Sequence, residues 1–315
     1  MKTKLSRYSS VLFLLLFCLL LSAYLGFNTS FFFTWKNLVN ILEAISYRTI
    51  LAVGMTFIIA SGAIDLSVGS ILSLSSIVMA LCLKGGLPTA AAILIGIAAG
   101  GVLGGINGTL VHITRINALI ITLATSFLYR GLSLILTRGT PITKFPDAFR
   151  TFGYGDIFGM ESGVTMALIL LVLAFPLMYR MRCGHYIQSL GSNPEALKRC
   201  GVKTAPYRIG CFAAMGMLAA LAGVIITARL NSAEPNAGLD MEMDAITAVI
   251  MGGTPLSGGT ASLFGTAVAV FLLGLIRNGL TLLSVPSFYQ QFTTGALLLF
   301  AVITAELKER RNRIV

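Results

Sequence analysis

Residues 8–35 read YSSVLFLLLFCLLLSAYLGFNTSFFFTW, twenty-eight residues between Arg7 and Lys36 without one Asp, Glu, Lys or Arg. A helix that crosses a bilayer takes roughly 20 apolar residues, so this stretch predicts a span from about residue 9 to 27. The basic start and apolar core are those of a signal peptide, but the apolar part is long and has no clean A-x-A site, so a retained span is expected. Working outward, comparable uncharged runs lie between Arg48 and Asp65, Asp65 and Lys84, Lys84 and Arg115, Glu161 and Arg180, Arg208 and Arg229, Asp244 and Arg277, and Arg277 and Glu306. They predict an all-α integral membrane protein, one transmembrane domain over residues 1–315. Further spans are expected near 49–64, 66–83, 88–110, 117–137, 163–179, 209–228, 262–282 and 288–305, with a short segment near 243–253 as the tenth.

Composition agrees. Of the 315 residues 56% are hydrophobic and 11% charged, and the mean hydropathy is +0.87, which excludes a water-soluble enzyme and a disordered chain. A net charge of +11 in a soluble protein would suggest nucleic acid. Here basic residues flank spans, so lipid is the expected partner and nucleic acid is not. With ten spans and both termini inside, fourteen basic residues fall on the cytoplasmic side, among them Lys2, Lys4, Arg7, Arg180, Arg182 and Arg313. Seven fall outside: Lys36, Arg48, Lys84, Arg138, Lys144, Arg150 and Arg229. That bias is the positive-inside pattern of a multi-pass membrane protein. Arg130 and Arg277 lie within spans and are expected to snorkel toward the outer boundary. The five cysteines show no paired spacing and read as reduced structural thiols, with no metal site.

Two stretches interrupt the apolar pattern. MGGTPLSGGTAS, from Met251, cannot continue a regular helix, and SGAIDLSVGS, residues 61–70, is a similar break carrying Asp65 at membrane depth. The pair hints at an internal repeat of the kind transporters use to place broken helices at the midplane or a gate. FFFTWKNLVNILEAISYR, from Phe31, reads as an interfacial segment with Trp35 at headgroup level.

Signatures of catalysis are scarce. GxxxxGK[ST], HExxH and a GxSxG elbow are all missing from the sequence, and His112 and His185 sit in short loops, so no catalytic residue and no bound cofactor are expected. The longest inner loop, residues 180–208, contains a compact helix signal. Asn193 can cap, Pro194 fits the first turn, Glu195 favours the positive helix end, and Gly201 suits the stop. It reads either as a solvated connector or as a rigid knob that docks into a partner. The loop at 138–161 is expected on the opposite, periplasmic side.

Glu195-Ala196-Leu197, three residues and then Gly201 resembles the Glu-Ala-Ala-x3-Gly motif of bacterial ABC importer permeases, with Leu197 departing at the third position. IDLSVGS at 64–70, NPEA with GV at 193–202, ARLNSAEPNAGLDMEMDAITAVIMGGTPLSGG at 228–259 and FGTAVAVFLLGLIRNGLTLLSVPSFYQ at 264–290 resemble the monosaccharide, ribose-type branch of those permeases. Gly62-Ala63 and Gly184-His185-Tyr186 stand where that branch often has Gly-Gly and Gly-Arg-Tyr. The resemblance implies a permease subunit of an ATP-driven importer working by alternating access. Its partners would be a second permease subunit, identical or not, a cytoplasmic ATP-binding subunit that holds ATP and magnesium, and a periplasmic or extracellular sugar-binding protein. Asn193, Pro194, Glu195, Ala196, Leu197 and Gly201 would then couple to the ATPase. Two other readings stand beside it, a branched-chain amino acid type ABC permease and a self-contained secondary carrier.

The polar residues within the apolar runs are candidates for a pathway or gate, each with a structural alternative. Asp65 suits the N-terminal dipole of the helix after it. Asn107, Asn117, Thr122 and Asn278 could hydrogen-bond a neutral sugar or hold helices together. Glu242 and Asp244 open the broken segment, as a gate or as a capped helix start. Gly101, Gly104 and Gly105 are expected to allow close helix packing.

Overall fold

The computed structural model describes residues 2–157, 160–286 and 288–314. Phe158 and Gly159 of the expected outer loop, Ser287 and the two end residues lie outside the described residues. In chain order the helices are α1 (Lys2–Asn28), α2 (Trp35–Ala60), α3 (Val68–Lys84), α4 (Thr89–Thr114), α5 (Ala118–Thr137), α6 (Asp147–Tyr154), α7 (Ser162–Tyr179), α8 (Arg182–Ser192), α9 (Pro194–Arg199), α10 (Thr204–Leu230), α11 (Met241–Met251), α12 (Leu263–Leu282) and α13 (Phe288–Ile314). Two antiparallel pairs of two-residue strands complete the fold. β1 (Ile142–Thr143) pairs with β4 (Ser232–Ala233), and β2 (Asp156–Ile157) with β3 (Met160–Glu161).

Among the described residues seven helices are long and apolar enough to cross a membrane: α2, α4, α5, α7, α10, α12 and Val11–Asn28 of α1. The shorter apolar helices are α3 and Phe288–Thr304 of α13. The expected interfacial segment before residue 49 is instead the first half of α2, which runs unbroken from Trp35. Its charges permit this because Glu43 accepts from Arg229 of α10 at 3.0 Å and Arg48 lies 3.4 Å from Asp244 of α11. Arg48 therefore belongs to the bundle and not to an outer loop. Glu161 stands 3.9 Å from the same Arg229, and burial, reinforced by the neighbouring Glu43, raises its carboxyl above the usual range.

Burial sorts the helices into an inner and an outer set. Ile50, Met55, Ile58 and Ile59 of α2, Ile71 and Leu72 of α3, and Phe212, Met215 and Ile225 of α10 form the centre. Leu94 of α4, Phe127 and Ile135 of α5, and Val172 and Leu173 of α7 point outward, exposed and apolar as lipid-facing residues must be. One end of the bundle, here the lower, carries α8, α9 and the two helix breaks. The upper end carries α6 and the strands, where Lys84 Nζ donates to the Lys144 carbonyl at 3.0 Å.

Water does not drive apolar helices together inside lipid, so close backbone approach must do so. α4 and α10 meet along Gly100, Gly104 and Gly108, one turn apart, with Gly216 opposite. A Cβ on Gly104 would strike the Phe212 carbonyl, and one on Gly216 the Gly100 carbonyl. Of the glycines expected to pack, Gly104 lies on this face, while Gly101 meets the flexible Met217 side chain and Gly105 has only Ala213 Cβ at 3.9 Å. Gly104→Ala should therefore cost about 1–3 kcal/mol by overpacking against fixed backbone, whereas Gly105→Ala should be neutral or gain up to about 1 kcal/mol from helix propensity. Unfolding midpoints of the two variants in one detergent check this, and equal midpoints would refute the packing assignment.

Candidate functional site

The knob is built by local sequence chemistry. Asn193 breaks the chain between α8 and α9 in an extended conformation, φ −158°, and its side-chain oxygen accepts the Ala196 N–H at 2.9 Å. Pro194 occupies the first turn, where its missing N–H costs nothing. Glu195 pairs with Lys198 at 2.7 Å, and that neighbour holds its carboxyl below the usual carboxylate range. The stop is a Schellman motif: the Gly201 N–H reaches the Lys198 carbonyl at 2.9 Å and the Val202 N–H that of Leu197 at 3.3 Å. Gly201 has φ +79° with open space around its Cα, so a side chain there would meet backbone strain and no clash. Leu197, the departure from the family motif, is buried beneath the knob and anchors it. Tyr186 and Tyr207, ring centroids 5.2 Å apart, pin α8 to the start of α10.

Among the interior polar residues, Asp65, Asn107 and Thr122 come together. Asp65 Oδ1 accepts the Ser67 N–H at 2.9 Å and the Ser67 hydroxyl at 2.6 Å. Asn107 donates to Ser67 Oγ at 2.7 Å and accepts from Tyr129 OH at 2.9 Å, while Thr122 Oγ1 accepts the Leu66 N–H at 3.0 Å. The knot lashes the first break to α4 and α5. Asp65 thus turns the chain at Ser67, the N-cap position of α3, whose hydroxyl is spent on Asp65 and Asn107 and makes no cap bond.

The other candidates lie apart. Asp244 receives Arg48 from α2 and Arg277 from α12, and Arg277 also reaches Thr294 of α13 at 3.3 Å, so one carboxylate joins four helices. Arg277 is therefore a paired interior cation and does not snorkel. Arg130 departs from that expectation too, donating to the Pro235 and Ala237 carbonyls at 2.7 Å each. With Ser73, which reaches the Pro235 carbonyl at 2.8 Å, it holds the 231–240 segment folded back between α3 and α5. Glu242 stands where that segment enters α11, close to Gly69. Asn278 exchanges amide hydrogen bonds with Asn37 at 2.8 and 3.1 Å, tying α12 to α2. Asn117 caps α5 by accepting the Leu119 N–H at 3.0 Å. Sequence reasoning missed Ser67 and Tyr129, whose hydroxyls complete the knot. The available signal was Asp65 itself, since a carboxylate at that depth needs donors nearby.

Arg48, Asp244 and Arg277 line a small cleft where α2, α11 and α12 meet. An apolar groove of about 560 Å³ lies between α2, α7, α8 and α10, with Phe57, Leu170, Leu177, Tyr207 and Met217 along its wall.

Comparison with known proteins places this architecture. The family described as "Branched-chain amino acid transport system / permease component" matches residues 37–302. The chain is 38% identical over 282 residues to the ribose import permease protein RbsC of Escherichia coli (strain K12), covering 88% of each chain. It is 39% identical over 269 residues to the ribose import permease protein RbsC of Bacillus subtilis (strain 168), covering 85% of this chain and 84% of the relative. To the L-arabinose ABC transporter permease protein AraH of Azospirillum brasilense it is 30% identical over 295 residues, covering 94% and 87%. No solved structure matches. A multi-pass helical bundle with this extent of identity belongs to the ABC importer permease family, in the branch that holds the ribose import permeases, and to the bacterial inner membrane.

Proposed function

We propose that this chain is the membrane subunit of an ATP-driven importer for a monosaccharide, ribose or a close relative. The observation that carries the reading is identity near 38% to ribose import permeases along nearly the whole of both chains. An amino acid substrate is not favoured, because these relatives are named for sugars, and a self-contained carrier sits poorly with a relative named as an ABC transporter permease.

In this reading α3, α11 and α13 join the seven long helices to give ten spans, with α8 and α9 in the cytoplasm and α6 outside. The ATP and magnesium bind a separate cytoplasmic subunit into whose groove α9 inserts. A soluble sugar-binding protein meets the 138–161 loop, where Arg138, Lys144 and Arg150 would speed encounter with its carboxylates. The sugar passes between this chain and a second permease subunit. That placement follows from the interior polar groups, which are occupied in holding helices together and leave little to line a route within one chain. Closure of the ATPase pair then moves the knobs and switches the route from outward to inward access.

Reconstituted with its ATPase and sugar-loaded binding protein, the chain should take up ribose only with magnesium and ATP on the knob side, and alone it should hydrolyse none. Uptake driven by an ion gradient without the ATPase would establish a carrier instead. Gly201→Val should abolish both uptake and the stimulation of hydrolysis by loaded binding protein at unchanged membrane level, because φ +79° is closed to a β-branched residue. Glu195→Ala should weaken both less, since it removes one exposed pair; full uptake in Gly201→Val would reduce the knob to a connector. For orientation, a cysteine at Thr151, exposed on α6, should react with an impermeant thiol reagent added outside intact cells. Reaction only in inverted vesicles would turn the whole chain over.

A further inference from the structure

α8 ends at Gly191 and Ser192, immediately before the Asn193 cap of the knob. Gly191 touches both helix breaks at once. A Cβ there would strike the Ala60 carbonyl oxygen, and would lie 2.6 Å from the Gly259 nitrogen and 3.0 Å from that of Gly62. The fit is mutual: a Cβ on Gly62 would lie 3.2 Å from Gly191 Cα, and one on Gly258 would lie 2.8 Å from Gly62 Cα. The Gly259 N–H donates to the Ala60 carbonyl at 3.0 Å. Three backbones distant in sequence, at 60–62, 191 and 258–259, thus meet at Gly191 with no side chain between them, and the Ser192 side chain packs beside Gly259.

The contact has mechanical consequences. A side chain between two elements absorbs small displacements by changing rotamer, whereas backbone against backbone has no such slack. The breaks are also fastened on their far sides. The first is tied through Ser67 to Asn107 and through Leu66 to Thr122. The second is tied through Tyr179, whose hydroxyl donates to the Ala261 carbonyl at 3.1 Å and accepts the Leu263 N–H at 3.0 Å. From this geometry we infer that Gly191 is a positioning residue for coupling: it makes α8, α9 and the two breaks one rigid body, so that displacement of the knob re-aims α3 and α12 together. The inference rests on the importer reading, in which an ATPase moves the knob.

The test uses the permease with its ATPase and binding protein in proteoliposomes, with ribose as the transported sugar. Wild type comes first, and failure of ATP-driven uptake there would overturn the importer reading itself. With wild type active, Gly191→Ala should lower both uptake and binding-protein-stimulated hydrolysis at least tenfold, with unstimulated hydrolysis within twofold. Gly210→Ala, which has open space about it, should stay within twofold of wild type throughout. Wild-type stimulation in Gly191→Ala would overturn the inference. Misfolding would mimic the loss, so a second arm measures rigidity directly. A chain with its native cysteines replaced by alanine carries Ser192→Cys and Gly259→Cys, at positions whose Cβ atoms stand 3.3 Å apart, near disulfide range. Oxidation should cross-link the pair and leave uptake within twofold of the same protein reduced. Loss of uptake on oxidation with recovery on reduction would show that α8 and the break must part, and failure to cross-link would show that they are not adjacent; either result overturns the rigid body.

Discussion

A backbone broken inside a membrane must find partners for its N–H and C=O groups without water, and this chain breaks its backbone twice. Both breaks open with the same device. Gly62 and Ala63 donate to the Ile59 and Ile58 carbonyls, and Gly253 and Thr254 to those of Ile250 and Val249, which are two Schellman closures. Each break then reaches sideways for its remaining bonds. Leu66 uses Thr122, Ser67 uses Asp65, Ser262 uses the Thr254 hydroxyl, Leu263 uses Tyr179, and Gly259 uses the carbonyl of Ala60 in the other break. The arrangement of α4, α5 and α7 around α2 and α3 follows from where those donors and acceptors have to stand.

The two breaks also correspond in their surroundings. Each follows a helix that descends to the lower end and precedes one that rises from it, α2 to α3 in one case and α11 to α12 in the other. This parallel arrangement is what a repeat would give, and it explains why SGAIDLSVGS and MGGTPLSGGTAS look alike in composition while sharing few residues. What the two breaks share is the way the backbone leaves the preceding helix. The side chains that satisfy it differ because the neighbouring helices differ.

Legibility in the sequence followed the range of the interaction. The knob was readable almost to the hydrogen bond, because Asn193, Pro194, Glu195 and Gly201 act within a few residues of one another. The breaks were readable for the same reason, as runs of Gly, Ser and Pro in apolar surroundings. The course of α2 was not. A charge at Glu43 or Arg48 reads as the edge of a membrane until its partner is known, and those partners, Arg229 and Asp244, lie 186 and 196 residues away. Arg277 reads as a snorkelling cation on the same ground, since only folding brings it to Asp244. The short length of α11 was legible, whereas the infolding of 231–240 against Arg130 depends on backbone carbonyls, which carry no sequence signature.

The division of labour among polar groups bears on selectivity. A neutral sugar is recognised by hydrogen bonds, and buried donors already committed to helix packing can be diverted to it only by leaving their first partners unsatisfied, at roughly 1–3 kcal/mol each. Asn107, Thr122 and Asn278 are all committed in this way, and Asp244 is held by two guanidinium groups. A route that ran among them would have to unpick the bundle at every turnover. In the importer proposed above, a route formed against a second subunit would avoid that cost. The interior polar residues of this bundle hold its helices and its two breaks in place.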